Sequence, residues 1–206
     1  MNRLVAVALF LLGTAAPAQP STDAEQFELK AGARTYDIVE GKPFTFTTPK
    51  GERVELVFGR KAEQSYVEEG IQFRYPREMR VSREAEEGTV SLTVEATNSV
   101  LAILQLFPEG TPPALVSQEL GRGILQEFGS RGGVPKKREG TEVSRKFGKR
   151  ELKGTRYDIT MAGESFEIEV FAQVHQKRVL GVVLQNFVQD HAVAEKWFGT
   201  ILGSLK

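Results

Sequence analysis

Alternation of apolar and polar side chains predicts β-strands over much of the chain. Every second residue is large and apolar at 44–46 and at 54–58, and Pro49-Lys50-Gly51 lies between the two segments. Because successive strand side chains point to opposite faces and Pro and Gly favour turns, these residues predict a β-hairpin. The same period predicts further strands at residues 71–75, 90–96, 155–161 and 166–174.

Two other segments are apolar at nearly every position. Residues 100–107 contain a single polar residue, Gln105, and residues 179–184 are interrupted only by Gly181. A strand with one face in water would alternate, so these segments predict strands that are covered on both faces.

The helical period of 3.6 is found in two segments. In the first, Thr111 is the predicted N-cap, Pro112 lies in the first turn, and the helix ends at Gly129. In the second, Asp190 is the predicted N-cap. The apolar stripes comprise Leu120, Ile124, Leu125 and Phe128 in the first helix, and Val193, Ala194, Trp197, Phe198, Ile201, Leu202 and Leu205 in the second. One-sided helices together with covered strands predict an α+β fold, a three-layer α/β/α sandwich around a mainly antiparallel sheet.

The first 18 residues have the three parts of a secretory signal peptide. Arg3 precedes an apolar run at 4–12, and small residues follow up to Ala18. We therefore predict cleavage between Ala18 and Gln19 and a periplasmic or secreted location. The apolar run is about half of the ~20 residues that cross a bilayer, and no later stretch approaches that length, so no transmembrane span is predicted for the mature chain.

The mature chain divides into three predicted parts. Residues 19–26 are small and polar and form a flexible leader, residues 27–60 form a β-hairpin extension, and residues 61–206 form the main domain.

The main domain resembles the PsbP-like family. The resemblance rests on Phe73-Arg74-Tyr75-Pro76, on Met79 and Val81, and on the terminal stretch 198–205, which ends a succession of strands, a middle helix, more strands and a last helix. It implies an α/β/α sandwich and a role in binding, and it transfers no functional residue. The chain departs from the family where Glu78-Met79 stands in place of a frequent Gly-Trp.

The composition excludes several kinds of chemistry. The chain has no cysteine, which removes disulfides and thiol nucleophiles, and its 27 basic and 27 acidic residues give no global attraction to nucleic acid. His175 and His191 have no histidine or acidic neighbour at metal-ligand spacing and are expected at the surface, His175 in a hairpin turn. We predict no catalytic residue, no cofactor and no metal.

Other polar residues have ordinary structural interpretations. Ser165 lacks the second glycine of a nucleophile elbow and is expected in a turn. Gly121-Arg122-Gly123 lies inside the predicted middle helix, where the glycines would allow close packing on the sheet. Glu167 and Glu169 alternate with apolar residues, so we expect both on the solvated face beside Lys or Arg.

One charged segment exceeds the background. Residues 131–156 contain ten basic and three acidic residues, a net charge of +7, whereas residues 63–95 have a net charge of −4. The candidate partner-binding residues are Lys136, Lys137, Arg138, Arg145, Lys146, Lys149, Arg150 and Lys153. The alternative is a solvated hairpin whose cations are neutralised by the acidic segment.

These observations predict an exported, non-catalytic binding protein, an assembly or stability factor of the envelope. Its partner would be a protein or an anionic envelope component, with peripheral membrane contact possible and nucleic acid disfavoured. The alternative function is a carrier of a small apolar ligand or lipid in a cavity between the helices and the sheet. An enzyme would need carboxylates gathered from distant segments.

Overall fold

A computed structural model describes residues 26–31, 34–48, 50–59, 61–68 and 70–206. The predicted signal peptide, its cleavage site and the leader up to residue 25 lie outside the described residues. The described residues form two compact units, one containing those up to Ala62 and the other those from Glu63 to Lys206.

The smaller unit consists of two antiparallel hairpins. Strand β1 (Gln26–Ala31) pairs with β2 (Arg34–Val39), and β3 (Pro43–Thr47) pairs with β4 (Arg53–Val57). The predicted β3–β4 hairpin is confirmed, and the β1–β2 hairpin adds to it. Gly51 has a positive φ of 84° in the β3–β4 turn, a conformation that glycine adopts without strain.

The larger unit begins with a hairpin and continues into a sheet. Strands β5 (Glu63–Glu68) and β6 (Ile71–Pro76) pair with each other. The remaining strands are β7 (Arg80–Glu86), β8 (Thr89–Glu95), β9 (Leu101–Phe107), β10 (Val134–Pro135), β11 (Thr141–Phe147), β12 (Arg150–Met161), β13 (Glu164–His175) and β14 (Arg178–Phe187). Their order is β10-β12-β13-β14-β9-β8-β7, with β11 also on β12, and every pair is antiparallel. With helices α1 (Pro113–Ser130) and α2 (His191–Gly203), the fold is α+β.

Strands β9 and β14 lie side by side in the interior of the sheet, with Leu104 opposite Val182. Alternate residues of both strands belong to two separate buried clusters. One cluster contains Leu104 and Val182 together with Phe198 of α2. The other contains Ile103 and Val183 together with residues of α1. Both faces of these strands are therefore covered, as their continuous apolar sequence predicted.

Helix α1 begins later than predicted. Thr111 is not the N-cap, because Pro112 occupies that position and the Thr111 hydroxyl donates to the carbonyl of Pro108 at 2.8 Å. The glycines of the helix differ in role. A Cβ on Gly121 would lie 2.4 Å from the Tyr157 hydroxyl oxygen, so this glycine permits the close approach to β12, whereas Gly123 has open space around it.

Helix α2 is preceded by a 3₁₀ turn, Val188–Asp190, and Asp190 is its N-cap as predicted, although its side chain makes no capping hydrogen bond. The C-terminal residues then return to β6. The backbone N–H groups of Gln72 and Lys206 donate to each other's carbonyls, and the Arg74 N–H donates to the Ser204 hydroxyl at 2.7 Å. These bonds hold β6 against α2, where Phe73 is fully buried.

Candidate functional site

The basic segment occupies the loop after β10 and the β11–β12 hairpin. Seven of the eight predicted binding residues are exposed there. They fall at two places, since the Lys136 N–H donates to the Asp158 carbonyl while Lys149 and Arg150 lie at the other end of β12. At about 3.3 Å per residue, Arg150 and Asp158 are roughly 26 Å apart along the strand.

Three cations cluster at the end of the hairpin, and we call Lys146, Lys149 and Arg150 the hairpin-end cations. The turn between them is held by the Gly148 N–H, which donates to the carbonyl of Leu202 in α2 at 2.8 Å. All three side chains belong to exposed residues, and none has an ion-pair partner among the residues that the structure describes. One hairpin turn thus carries three exposed cations, and Glu151 lies opposite Lys146 in the strand register.

Lys153 differs from these three cations because it has an acidic partner. Its ammonium lies 2.9 Å from Glu142, and both side chains are mostly exposed. The hydrogen bond to Glu142 raises the pKa of Lys153. An exposed pair of this kind contributes little to stability.

Arg145 was predicted on an exposed binding surface, and the exposure part of this prediction is wrong. Its side chain is 16% exposed and donates to two carboxylates, with Nη1 2.8 Å from Glu195 and Nη2 3.1 Å from Glu169. It also lies over the ring of Phe198, 5.9 Å from the centroid. Burial opposes its charge, but the bonds to Glu195 and Glu169 outweigh that effect and raise the pKa of Arg145. Because β11 side chains alternate, Arg145 shares the inner face with Val143 and Phe147.

Glu167 and Glu169 were expected in solvent, and this expectation is also wrong. Their residues are only 8% and 7% exposed. The face of β13 opposite Ile168 and Val170 is covered as well, and there both glutamates meet arginines, as predicted. Glu169 binds Arg145, and Glu167 binds Arg156.

The bonds around Glu167 extend the cluster to the start of α2. His191 Nδ1 lies 2.6 Å from Glu167, and the Asn186 amide donates to Glu167 at 3.2 Å. Arg156 Nε also donates to Asp158 at 2.8 Å. Burial opposes the charge of Arg156, yet its bond to Asp158 and the charge of Glu167 raise its pKa. We call this cluster of Arg145, Arg156, Asp158, Glu167, Glu169, His191 and Glu195 the charge network.

The alternative interpretation expected the acidic segment 63–95 to neutralise these cations, but no ion pair joins them to that segment among the residues that the structure describes. Those with an acidic partner pair with residues elsewhere, such as Arg131 with Glu127 at 2.6 Å. Glu63 instead pairs with Arg74 at 2.9 Å.

The two histidines and Ser165 lie at separate places in the fold. His175 ends β13 beside the turn, and its Nε2 lies 2.9 Å from the Gly70 carbonyl. His191 is half-exposed. Ser165 was expected in a turn, but it lies in β13, which begins at Glu164 after the turn at Ala162 and Gly163. Within the described ranges, no group of three or more acidic, histidine or cysteine residues is arranged to hold a metal ion.

Two adjoining cavities lie beside Lys136, and sequence reasoning did not foresee them. The polar pocket has a volume of about 140 Å³ and is lined by Lys136, Lys137, Gly140, Thr141, Arg156 and Asp158. The mixed groove has a volume of about 520 Å³. Its apolar lining is Val134, Pro135, Ile159, Phe166 and Val188, and its polar lining includes Lys136, Arg156, Asp158, Ser165 and Glu167. The two cavities share Lys136, Arg156 and Asp158.

None of the helices among the described residues is long and apolar enough to cross a membrane. No protein-family model matches the sequence, and no curated protein matches it either.

Several solved structures are similar to this chain, among them three at 12% to 14% identity. The solution structure of cyanobacterial PsbP from Synechocystis sp. PCC 6803 has 12% identity and a TM-score of 0.47, over 72% of this chain and 94% of that one. LpqN of Mycobacterium tuberculosis, involved in cell envelope biogenesis, has 14% identity and a TM-score of 0.41, over 70% of this chain and 89% of that one.

The third is a protein of Bacteroides thetaiotaomicron VPI-5482, with 12% identity and a TM-score of 0.45 over 71% of this chain. This chain spans about half of its length, 48%. A PsbP structure is thus among the proteins to which this chain is similar, in agreement with the resemblance noted in the sequence. At these identities and TM-scores the similarity assigns no function.

Proposed function

We propose that this chain is an exported, non-catalytic accessory protein that binds an acidic envelope component through its hairpin-end cations. The observation that carries the proposal is that the cations of this segment differ in exposure and in ion pairing. Arg145 and Arg156 are each bound to two carboxylates, whereas Lys146, Lys149 and Arg150 are exposed and have no acidic partner within the described ranges.

The geometry suits attraction to an extended acidic surface. The turn between Lys146 and Arg150 is anchored to α2 by the Gly148 N–H, which donates to the Leu202 carbonyl. Each lysine or arginine near an anionic surface contributes about 1 kcal/mol, and this attraction weakens as salt screens it. Export is supported by the signal-peptide pattern in residues 1–18.

The non-catalytic part of the proposal is supported by the contacts of the two histidines. His175 contacts the Gly70 carbonyl, and His191 contacts Glu167, whose other carboxylate oxygen binds Arg156. Arg156 thus binds the Glu167 oxygen that His191 does not contact, and the His191–Glu167 pair is part of the charge network.

We also propose that the larger unit is the three-layer sandwich that the resemblance implies. Support comes from the two buried clusters, each of which joins one helix to alternate residues of β9 and β14. The alternative function, a carrier with an apolar cavity between helix and sheet, is less favoured on the α1 side. At Gly121 the helix touches Tyr157, and a Cβ on Gly181 would lie 2.7 Å from Leu120.

A matched pair of charge reversals tests the binding surface. Lys149 and Lys177 are exposed lysines in two different hairpin turns, and neither has an acidic partner among described residues. We expect Lys149→Glu to weaken binding to isolated envelopes of the host several-fold at low salt, with the difference shrinking as salt is added. Lys177→Glu should bind like the wild type. Equal binding of the wild type and both variants would show that the hairpin-end cations do not bind the envelope component.

A further inference from the structure

We propose that the polar pocket and the mixed groove together bind an amphiphile with one alkyl chain and a phosphate headgroup. This site is separate from the hairpin-end cations, because Lys136 and Lys137 belong to the opposite end of β12. It therefore goes beyond the proposed function and can fail or hold independently of it.

The headgroup end is set by charge. Lys136 and Lys137 are exposed and have no acidic partner in the described part of the chain. The pocket also contains Asp158, but Arg156 binds that carboxylate at 2.8 Å. The lining therefore keeps a net positive charge, and its lysines bind phosphate as point charges while Thr141 offers a hydroxyl.

The chain end is set by apolar surface. Val134 and Val188 line the mixed groove and are 67% and 48% exposed, which leaves two large apolar side chains uncovered in the same cavity. Phe166 and Ile159 line the same groove and are buried. The volume of about 520 Å³ is within the range of sites that bind small organic molecules.

The order of the two cavities matches the order of groups in such a ligand. Because the cavities share Lys136, Arg156 and Asp158, a phosphate held by the lysines places the attached chain in the groove. Within the groove, Arg156 and Lys136 are balanced by Asp158 and Glu167, so the excess positive charge lies in the polar pocket.

A peptide strand is a poorer occupant of this site. Strand addition needs free backbone groups at a strand edge. Here Val134 and Pro135 already pair with Thr160 and Ile159, and the Lys136 N–H donates to Asp158. The backbone of β12 beside the groove is thus occupied.

Isothermal titration calorimetry of the purified chain with dodecyl phosphate, below its micelle concentration, tests the proposal. We expect saturable binding. Lys136→Glu and Lys137→Glu should each weaken it about fivefold, because each variant loses the attraction of one lysine for the phosphate. Val188→Asp should weaken binding about fivefold or more by placing a charge against the alkyl chain.

Two controls separate the site from general effects. Lys177→Glu makes the same charge change far from the groove along the chain, and Val174→Asp changes a valine that is 56% exposed at the far end of β13. Both should bind like the wild type. Far-ultraviolet circular dichroism confirms that each variant is folded before titration.

The ligand classes are separated by two further titrants. Inorganic phosphate should bind far more weakly than dodecyl phosphate, and dodecyl maltoside should not compete with it. Inorganic phosphate binding as tightly as dodecyl phosphate would eliminate the chain subsite. Equal binding of the maltoside would eliminate the headgroup subsite, and unchanged binding in Lys136→Glu, Lys137→Glu and Val188→Asp would overturn the whole proposal.

Discussion

Replacing Arg145 with methionine should destabilise the protein strongly, although Arg145 belongs to the basic segment that looks solvated in sequence. The substitution keeps much of the side-chain volume but removes the cation that faces Glu169, whose side chain is 9% exposed. A buried carboxylate that loses its charged partner costs about 3–5 kcal/mol. For a chain of this length, about 3 kcal/mol corresponds to a fall in Tm of about 6–12 °C.

The neighbouring residue provides the control. Lys146 lies one position further along β11, so its side chain points to the other face, and its residue is exposed. Lys146→Met removes the same charge and should change the free energy of unfolding by no more than about 0.5 kcal/mol. Urea unfolding of both variants at neutral pH measures the difference.

A double variant tests whether the loss comes from the unpaired carboxylate. Arg145→Met combined with Glu169→Leu replaces buried charges by apolar side chains, and Glu195, 40% exposed, can remain hydrated. The combined loss should be smaller than that of Arg145→Met alone. Equal stability of Arg145→Met and Lys146→Met, or simple addition of the two single effects, would refute this reasoning.

Three further predictions concern the network and the packing. Hydrogen bonds from Arg145 lower the pKa of Glu195 below its ordinary value of 4.5. The stability that ionised Glu195 contributes is therefore present above pH 4.5 and is lost as the pH falls through the lowered pKa. The urea midpoint of the wild type should exceed that of Glu195→Gln near neutral pH, and this difference should vanish in acid. Gly121→Ala should lose about 1–3 kcal/mol of stability because the added Cβ would clash with Tyr157, whereas Gly123→Ala should gain up to about 1 kcal/mol from helix propensity. Thermal unfolding measures both variants. A loss of stability in Gly123→Ala but not in Gly121→Ala would contradict the contact of α1 with β12 at Gly121. Phe198→Ala should cost about 3–5 kcal/mol in urea unfolding because Phe198 is fully buried, and a cost below about 1 kcal/mol would place α2 off the sheet.

The strands could be predicted because their burial is regular. The continuous apolar run at 100–107 corresponds to β9, in which every residue after Leu101 is buried, and the alternating run at 90–96 corresponds to β8, in which Val90, Leu92 and Val94 are buried between half-buried residues. In both cases one physical quantity, the side-chain period, determines the structure.

The start of α1 could not be placed by its polar residue alone. Thr111 has the side chain of an N-cap, but the two prolines that follow it have no N–H to donate to the Thr111 hydroxyl. The hydroxyl therefore bonds backwards to Pro108, and the helix begins at Pro113.

The sequence reasoning missed the charge network because it weighed the charge of these side chains more than their positions on the strand faces. Val143, Arg145 and Phe147 alternate on one face of β11, and this pattern already placed Arg145 among apolar neighbours. Glu169 likewise shares a face with Phe171. What the sequence could not supply was the partner, because Glu195 lies 50 residues from Arg145 and reaches it only through the packing of α2.

Strands β9 and β14 lie in the interior of the sheet, and we propose that one helix covers each face of the sheet. Amide hydrogen exchange measured residue by residue by NMR tests it most directly, since protection reports how much structure must open before an amide meets water. We expect amides of β9 and β14 to exchange only through global unfolding and far more slowly than those of β7 at the sheet edge. Exchange in β9 or β14 as fast as in β7 would contradict it.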